Sequence, residues 1–354
     1  MRDTLADWRP DIDQAIEEVI PREVSEEYLD EFFGTPTYQY DARSVQKALS
    51  DPIWNLLDRG GKRWRSVLFL VFVEAFGEDP NEYLPYAIIP EILHNGTIIV
   101  DDVEDEAAMR RGEPAVHKQF GVDIALNAGN AMYFIPLKII TKNPGNLDPE
   151  LRLRAYEMLM YELNRTHIGQ GMDICWHNDE EIEVGEPEYL EMCACKTGCL
   201  GRIVARLAAI VTEQSKEVEH EAARYAEKVS VAFQIGDDIL DVENSLGQAG
   251  DFGKEFGNDI REGKTTLMAI HAVETAPKER ARRLQRILAA EENTNEEIIE
   301  AIDILQETDS IAYAKDIALD LAAEAREHIH GLDLQPEPKD QLLEFTEFVV
   351  KREK

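Results

Sequence analysis

Two clusters of aspartates are the residues in this sequence best suited to chemistry. The first lies in His94-Asn-Gly-Thr-Ile-Ile-Val-Asp-Asp-Val-Glu-Asp-Glu-Ala-Ala-Met-Arg-Arg-Gly112, as Asp101, Asp102 and Asp105 in a DDxxD pattern. On a helix, Asp101 and Asp105 stack one turn apart on one face. Stacked carboxylates repel unless a cation sits between them. Hard oxygen ligands at this spacing suit Mg²⁺, which binds through one or two carboxylates plus phosphate oxygens. The competing reading is a solvated acidic helix face, but the apolar run Ile98-Ile99-Val100 ties these carboxylates to a core-facing helix. The second cluster, Asp237, Asp238 and Asp241 in Phe233-Gln-Ile-Gly-Asp-Asp-Ile-Leu-Asp241, also follows an apolar stretch, Val229 to Ile235. Two such clusters on facing helices would hold several divalent ions around one polyanion, as a diphosphate site requires.

Cations are concentrated nearby in sequence. Arg59, Lys62, Arg63 and Arg65 fall within seven residues with no acid among them, and Gly60-Gly61 allows close backbone approach to an anion. A solvated basic turn is the alternative. Arg110-Arg111 follows the first aspartate cluster.

These segments together resemble the trans-isoprenyl diphosphate synthases (the polyprenyl synthetase family), most closely geranylgeranyl diphosphate synthases of eukaryotic type. The motifs that carry the resemblance are Gly60-Gly-Lys-Arg-Trp-Arg65, Leu93 to Gly112, Gly169-Gln-Gly-Met-Asp-Ile174, Lys196-Thr-Gly198, Phe233 to Asp241, and Asp259-Ile-Arg-Glu-Gly-Lys264. They stand in the family's order from roughly residue 55 to 270. The flanking 50 N-terminal and about 85 C-terminal residues carry no usable motif.

The resemblance implies Lys62, Arg65, His94 and Arg111 around the diphosphate of isopentenyl diphosphate, the nucleophilic substrate. His94 alone would more often be a core histidine. The allylic diphosphate must ionise, which needs Mg²⁺ and preplaced cations around the leaving group rather than a protein nucleophile. Asp101, Asp105 and Asp237 are the expected direct ligands of about three Mg²⁺ ions, with Asp102, Asp238 and Asp241 in support. Arg110, Lys196, Lys254 and Lys264 are expected at the leaving group, and Thr197 and Gln234 beside the carbocation. Lys196 as an exposed helical lysine and Lys254 as a plain loop lysine are the alternatives. The product tail should run past Gly96 and Thr97, the level that an aromatic blocks in short-product synthases. Tyr133, Phe134 and His167 match the family positions that form the floor in geranylgeranyl diphosphate synthases, although ordinary core packing would also account for them. A geranylgeranyl product is therefore expected, with a farnesyl or a longer product as alternatives. A terpene cyclase would not need the Lys62/Arg65 cluster, and an inactive regulatory subunit would show damaged aspartate motifs.

Helical periodicity runs nearly throughout, without strand alternation. It predicts an all-α fold, a large helical bundle around a deep central cavity, and the lack of a Gly/Ser/Pro-rich linker predicts one domain over residues 1–354. Helices are expected at 10–33, 41–58, 63–76, 83–105, 122–140, 149–174, 187–211 and 218–244. Ser245 to Asn258 reads as a loop over the site, and Gln335-Pro-Glu-Pro as a separator before a last helix.

The formal net charge is −34, from 71 acidic against 37 basic residues, with 22 Arg to 15 Lys. Such a balance excludes general affinity for nucleic acid or anionic membranes. It fits a halophilic, archaeal source, where salt screens self-repulsion. No segment reads as a signal peptide or a transmembrane span, so a cytoplasmic enzyme is expected, and the family implies a homodimer. Cys193, Cys195 and Cys199 do not have the spacing of a standard zinc module, and with Cys175 they read as free thiols.

Overall fold

The computed structural model describes residues 2–177, 183–247, 257–290 and 292–350. Lys254 lies outside them, as do most of the expected loop Ser245–Asn258 and part of the acidic stretch His177–Glu188. Among the described residues the regular secondary structure is helical apart from one short two-stranded ladder, Met109 to Arg110 against Glu113 to Pro114. No helix among the described residues is long and apolar enough to cross a membrane. The chain divides into two compact units, one of residues 1–157 with 207–214, the other of 158–206 with 215–354.

The first unit carries α1 (Arg2–Val19), α2 (Glu26–Phe33), α3 (Ala42–Val45), α4 (Asp51–Asp58), α5 (Trp64–Ala75) and α6 (Leu84–Glu104). It continues with α7 (Val116–Phe120), α8 (Val122–Phe134), α9 (Leu137–Lys142) and the opening turns of α10 (Pro149–His177). Its centre is α5 and α6. Every residue from Val67 to Val73 is buried, as expected of a helix that is apolar all round. Between Tyr86 and Asp102 helix α6 is nearly as buried, except for His94, Thr97, Ile98 and Asp101. Their i, i+3, i+4, i+7 spacing puts them on a single stripe.

Helix α6 packs on α8 through a close crossing that only glycine permits. A Cβ on Gly96 would stand 2.8 Å from Met132 Cβ, and one on Gly129 would stand 2.7 Å from Val100 Cγ2.

The second unit holds most of α10, then α11 (Glu186–Cys193), the start of α12 (Cys199–Val211) and α13 (Lys216–Gly247). It ends with α14 (Asn258–Arg261), α15 (Leu267–Thr275), α16 (Lys278–Leu288), α17 (Asn295–Glu307), α18 (Ser310–His330) and α19 (Pro336–Val350). The long α13 packs against α18, whose buried stripe of Ala314, Ala318, Ala322 and Ala325 has little side chain to hold the axes apart.

Several helices depart from their periodicity. Helix α1 begins at Arg2 and runs through Pro10. The expected 41–58 helix is broken by a π-helical turn at Gln46–Ser50, and the 187–211 helix by another at Ala194–Gly198. Both π-helical turns run directly into α-helix on either side, so no loop marks them in the sequence. The 122–140 helix stops before Pro136, and Pro336 and Pro338 open α19 rather than precede it, since a first helical turn has no N–H to lose.

Candidate active site

In the first unit the site is built on the loop before α5. Gly60, Gly61 and Arg63 take positive φ angles of 99°, 121° and 51° in turn, which leaves Lys62 exposed between two tightly held neighbours. Arg63 is buried. It donates through Nε to Asp13 Oδ1 at 2.8 Å and through Nη2 to the Leu57 carbonyl at 3.1 Å, and its Nη1 lies 3.5 Å from Glu91 Oε1. It is thus a strut rather than a member of the exposed cationic group. Arg65 is buried in the first turn of α5, its guanidinium 4.1 Å from the centre of the Trp64 ring.

Arg111, also at positive φ, donates to the Gly60 carbonyl at 2.7 Å and to Asn95 Oδ1 at 3.2 Å. Asn95 in turn donates to Glu91 Oε1 at 3.1 Å. Desolvation, then the fields of Arg65, Arg111, Arg110 and Arg63, hold the His94 imidazolium well below its ordinary range. His94 is therefore a neutral group within a ring of guanidiniums.

Asp101 and Asp105 sit at the carboxyl end of α6, both partly exposed, with the Asp105 N–H on the Asp101 carbonyl at 2.8 Å. Together with Glu104 they add negative charge where the helix dipole is already negative, which favours a bound cation. Asp102 is fully buried and accepts from Arg110 Nε at 2.7 Å. Its carboxyl is raised above the usual range because burial outweighs that partner.

Gly96 faces α8, so its small size serves the helix crossing, and Thr97 and Ile98 are the residues on the open stripe. Of the expected floor residues, Tyr133 is buried and reaches toward Gly96. Phe134 is 64% exposed on the outer face of α8, and His167 is exposed on α10.

In the second unit the π-helical turn Ala194–Gly198 presents Lys196 and Thr197. Lys196 Nζ pairs with Asp173 Oδ2 at 2.6 Å. Backbone and helix meet here so closely that a Cβ on Gly169 would lie 2.4 Å from the Lys196 nitrogen. Thr197 donates to Gln234 Oε1 at 3.1 Å, and Gln234 Nε2 donates to Asp238 Oδ1 at 2.9 Å. The other Asp238 oxygen accepts from Tyr189 Oη at 2.9 Å.

Asp237 is partly exposed and Asp238 buried. Asp241 accepts from the Asp259 backbone N–H at 3.2 Å, and Lys264 Nζ lies 3.1 Å from Asp259 and 2.7 Å from Glu262. Burial first, then the neighbouring Asp259 charge, pushes Asp238 and Asp241 up to about 7. These carboxylates are crowded beyond what Lys264 offsets, a donor set that a divalent cation would relieve. Beneath them Arg202 binds Glu162 at 2.7 Å, the Ala194 carbonyl at 3.0 Å and Glu227, which locks the π-helical turn.

Among the described residues no group of three His, Cys, Asp or Glu side chains converges as a ready-made metal cage. All four cysteines are free. Burial pushes the Cys193 and Cys195 thiols up and takes Cys199 to about 11, so these three are inert packing groups.

Sequence reading did not assign Asp13, Glu91, Asn95, Asp173, Tyr189 or Asp259. Asp173 and Asp259 lie inside recognised motifs, so their position was a signal. Asp13 is far in sequence from any motif, and Tyr189 stands seven residues before Lys196 but outside the motif, so neither carried a signal.

The family model for polyprenyl synthetase matches residues 46–305. The chain belongs to the polyprenyl synthetase family. Its membership makes it a trans-prenyltransferase with an all-α isoprenoid synthase fold. This polyprenyl synthetase is 34% identical to a geranylgeranyl pyrophosphate synthase of Geoglobus acetivorans, over 84% of this chain and 88% of the relative. It is 29% identical to a geranylfarnesyl diphosphate synthase of Natronomonas pharaonis, again over 84% of this chain and 88% of the relative. The crystal structure of a geranylgeranyl pyrophosphate synthetase from Pyrococcus horikoshii Ot3 superposes with a TM-score of 0.80 at 27% identity, covering 99% of this chain and 98% of that one.

Proposed function

We propose that this polyprenyl synthetase, working as one domain, condenses isopentenyl diphosphate with allylic diphosphates to form geranylgeranyl diphosphate. The observation that carries the reading is the cluster of Arg65, Arg110 and Arg111 around a neutral His94, with the exposed Lys62 on the adjoining loop and the partly exposed Asp101 and Asp105 at the end of the same helix. That is an anion pocket next to a cation site, and a terpene cyclase has no second diphosphate to place there. Both aspartate clusters are intact, which speaks against an inactive regulatory subunit.

Lys62, Arg65, His94 and Arg111 hold the diphosphate of isopentenyl diphosphate. Arg110, oriented by Asp102, joins Lys196, Lys254 and Lys264 at the allylic diphosphate. Asp101, Asp105 and Asp237 hold Mg²⁺, three ions in all, and an all-carboxylate donor set suits that ion. The bound ions supply charge stabilisation to the leaving diphosphate. Thr197 and Gln234 shield the allylic cation while the isopentenyl double bond attacks it. The proton then leaves to the departed diphosphate, since no paired side-chain base is present among these residues. The helix α10 face of Leu153, Met160, Tyr161 and Ile168, all exposed, supports a homodimer. A cytoplasmic site and a saline cytosol suit the charge.

The test is incubation of purified protein with Mg²⁺, isopentenyl diphosphate and each allylic diphosphate in turn, with products separated by length. Geranylgeranyl diphosphate as the main product supports the reading, and no condensation with any primer refutes it. The Natronomonas pharaonis relative, by its name a geranylfarnesyl diphosphate synthase, favours a second reading in which the chain makes one isoprene unit more.

A further inference from the structure

We infer that Asp13, on the N-terminal helix α1 and ahead of the region matched by the family, is a positioning residue for the isopentenyl diphosphate pocket. The inference rests on the assignment of Lys62 to that pocket. Arg63 sits between Lys62 and Arg65 in sequence but does not face the substrate; it turns inward and is 2% exposed. Its backbone is left-handed, with φ 51° and ψ 27°, at the residue that caps α5. An L-residue adopts that conformation at a steric cost, and keeps it only where its surroundings impose it.

Three groups impose it here. Asp13 accepts from Nε at 2.8 Å, the Leu57 carbonyl accepts from Nη2 at 3.1 Å, and Glu91 lies 3.5 Å from Nη1. Glu91 is further engaged by Asn95, and Asn95 by Arg111, which returns to the Gly60 carbonyl. The loop that carries Lys62 is therefore held from both ends, by Arg111 at Gly60 and by Arg63 at the start of α5. Within this ring Asp13 alone comes from outside the motif region. Its side chain is 32% exposed, against 1% for Arg63 and 4% for Glu91, so it can be changed without opening the core. With Asp13 gone, Arg63 keeps Glu91 and Leu57 but loses the short charge-assisted bond. The left-handed residue is then freer to relax, and Lys62 on one side and Arg65 on the other lose register.

The experiment compares Asp13→Ala, Asp13→Glu, Lys62→Ala and the Asp13→Ala/Lys62→Ala double variant in full-length protein, measuring KM for each substrate, kcat and the unfolding midpoint. The expected result is a rise in the isopentenyl diphosphate KM of about 5- to 10-fold for Asp13→Ala, within the usual range for coupled neighbours. The allylic KM should stay within about twofold, Asp13→Glu should recover most of the loss, and the double variant should be little worse than Lys62→Ala. An unchanged isopentenyl diphosphate KM in Asp13→Ala, an equal rise for both substrates, or a lower active fraction with both KM values intact overturns the inference. So does strict additivity in the double variant. If Lys62→Ala raises that KM and Asp13→Ala does not, only this inference falls. If Lys62→Ala itself leaves it unchanged, the Lys62 assignment falls as well.

Discussion

Carboxylates of the same type have different surroundings in this protein. Asp101, Asp105 and Asp237 are partly exposed, whereas Asp102 and Asp238 are buried, Asp102 against Arg110 and Asp238 against Tyr189 and Gln234. Replacing Asp101 or Asp237 by Ala should therefore lower turnover by several orders of magnitude while the protein stays folded, because both side chains are partly open to solvent and fill no core volume. Near-normal turnover of both variants at limiting Mg²⁺ would remove them from the metal site. The cations divide similarly. Lys62→Ala and Arg65→Ala should weaken isopentenyl diphosphate far more than the allylic substrate, each lost charge-assisted contact being worth about 1.5–3 kcal/mol. Arg110→Ala should show the opposite bias, and substrate KM values in the three variants decide it. Equal effects on both substrates would mean that there are not two separate diphosphate pockets.

At the scale of elements, the crossing of α6 and α8 governs both the stability of the first unit and the level below Asp101. Gly96→Ala would push a methyl to within 2.8 Å of Met132 Cβ, which overpacks the crossing. The expected loss is about 1–3 kcal/mol, read from the denaturant midpoint. An unchanged midpoint would show that the two helices part without cost. On α8 itself, successive residues point to different sides. Tyr133 is inside and Phe134 outside, so Tyr133→Ala should lengthen the product distribution, and Phe134→Ala should leave it unchanged and act, if anywhere, on the proposed homodimer. Product chromatography and sedimentation of the two variants would distinguish these roles. Longer products from Phe134→Ala, with association unchanged, would put that ring in the product path instead.

Over the whole molecule the formal charge of −34 sets the solution behaviour. At low salt the acidic surface repels itself, and molar KCl shortens the screening length to a few ångströms. The unfolding midpoint should accordingly rise between low salt and molar KCl. A flat or falling midpoint would argue against adaptation to a saline cytosol. Ion pairs such as Arg22 with Asp58 and Arg280 with Glu307 are exposed enough that salt screens them too, so the net rise measures repulsion relieved minus attraction lost.

Sequence alone determined the all-α class, the family and the residue types at both aspartate clusters and at the Lys62 loop. Those features depend on local spacing, and a helix turn converts spacing into a shared face without reference to the rest of the chain. It also placed α5, α6 and the long helices close to their ends, because a continuous apolar run or a 3.6-residue period survives in any context. Tertiary structure decided the remainder. Arg63 and Lys62 are adjacent cations, yet one is a buried strut and the other exposed, and that depends on Asp13 and Glu91 arriving from distant segments. Gly96 reads as open space in sequence but is a point of helix contact, because what fills the volume beside a glycine is another helix. The π-helical turn under Lys196 and the Tyr189 bond to Asp238 were likewise invisible, since a helix held off its ideal winding and a hydrogen bond across 49 residues arise only when the packed neighbours impose them.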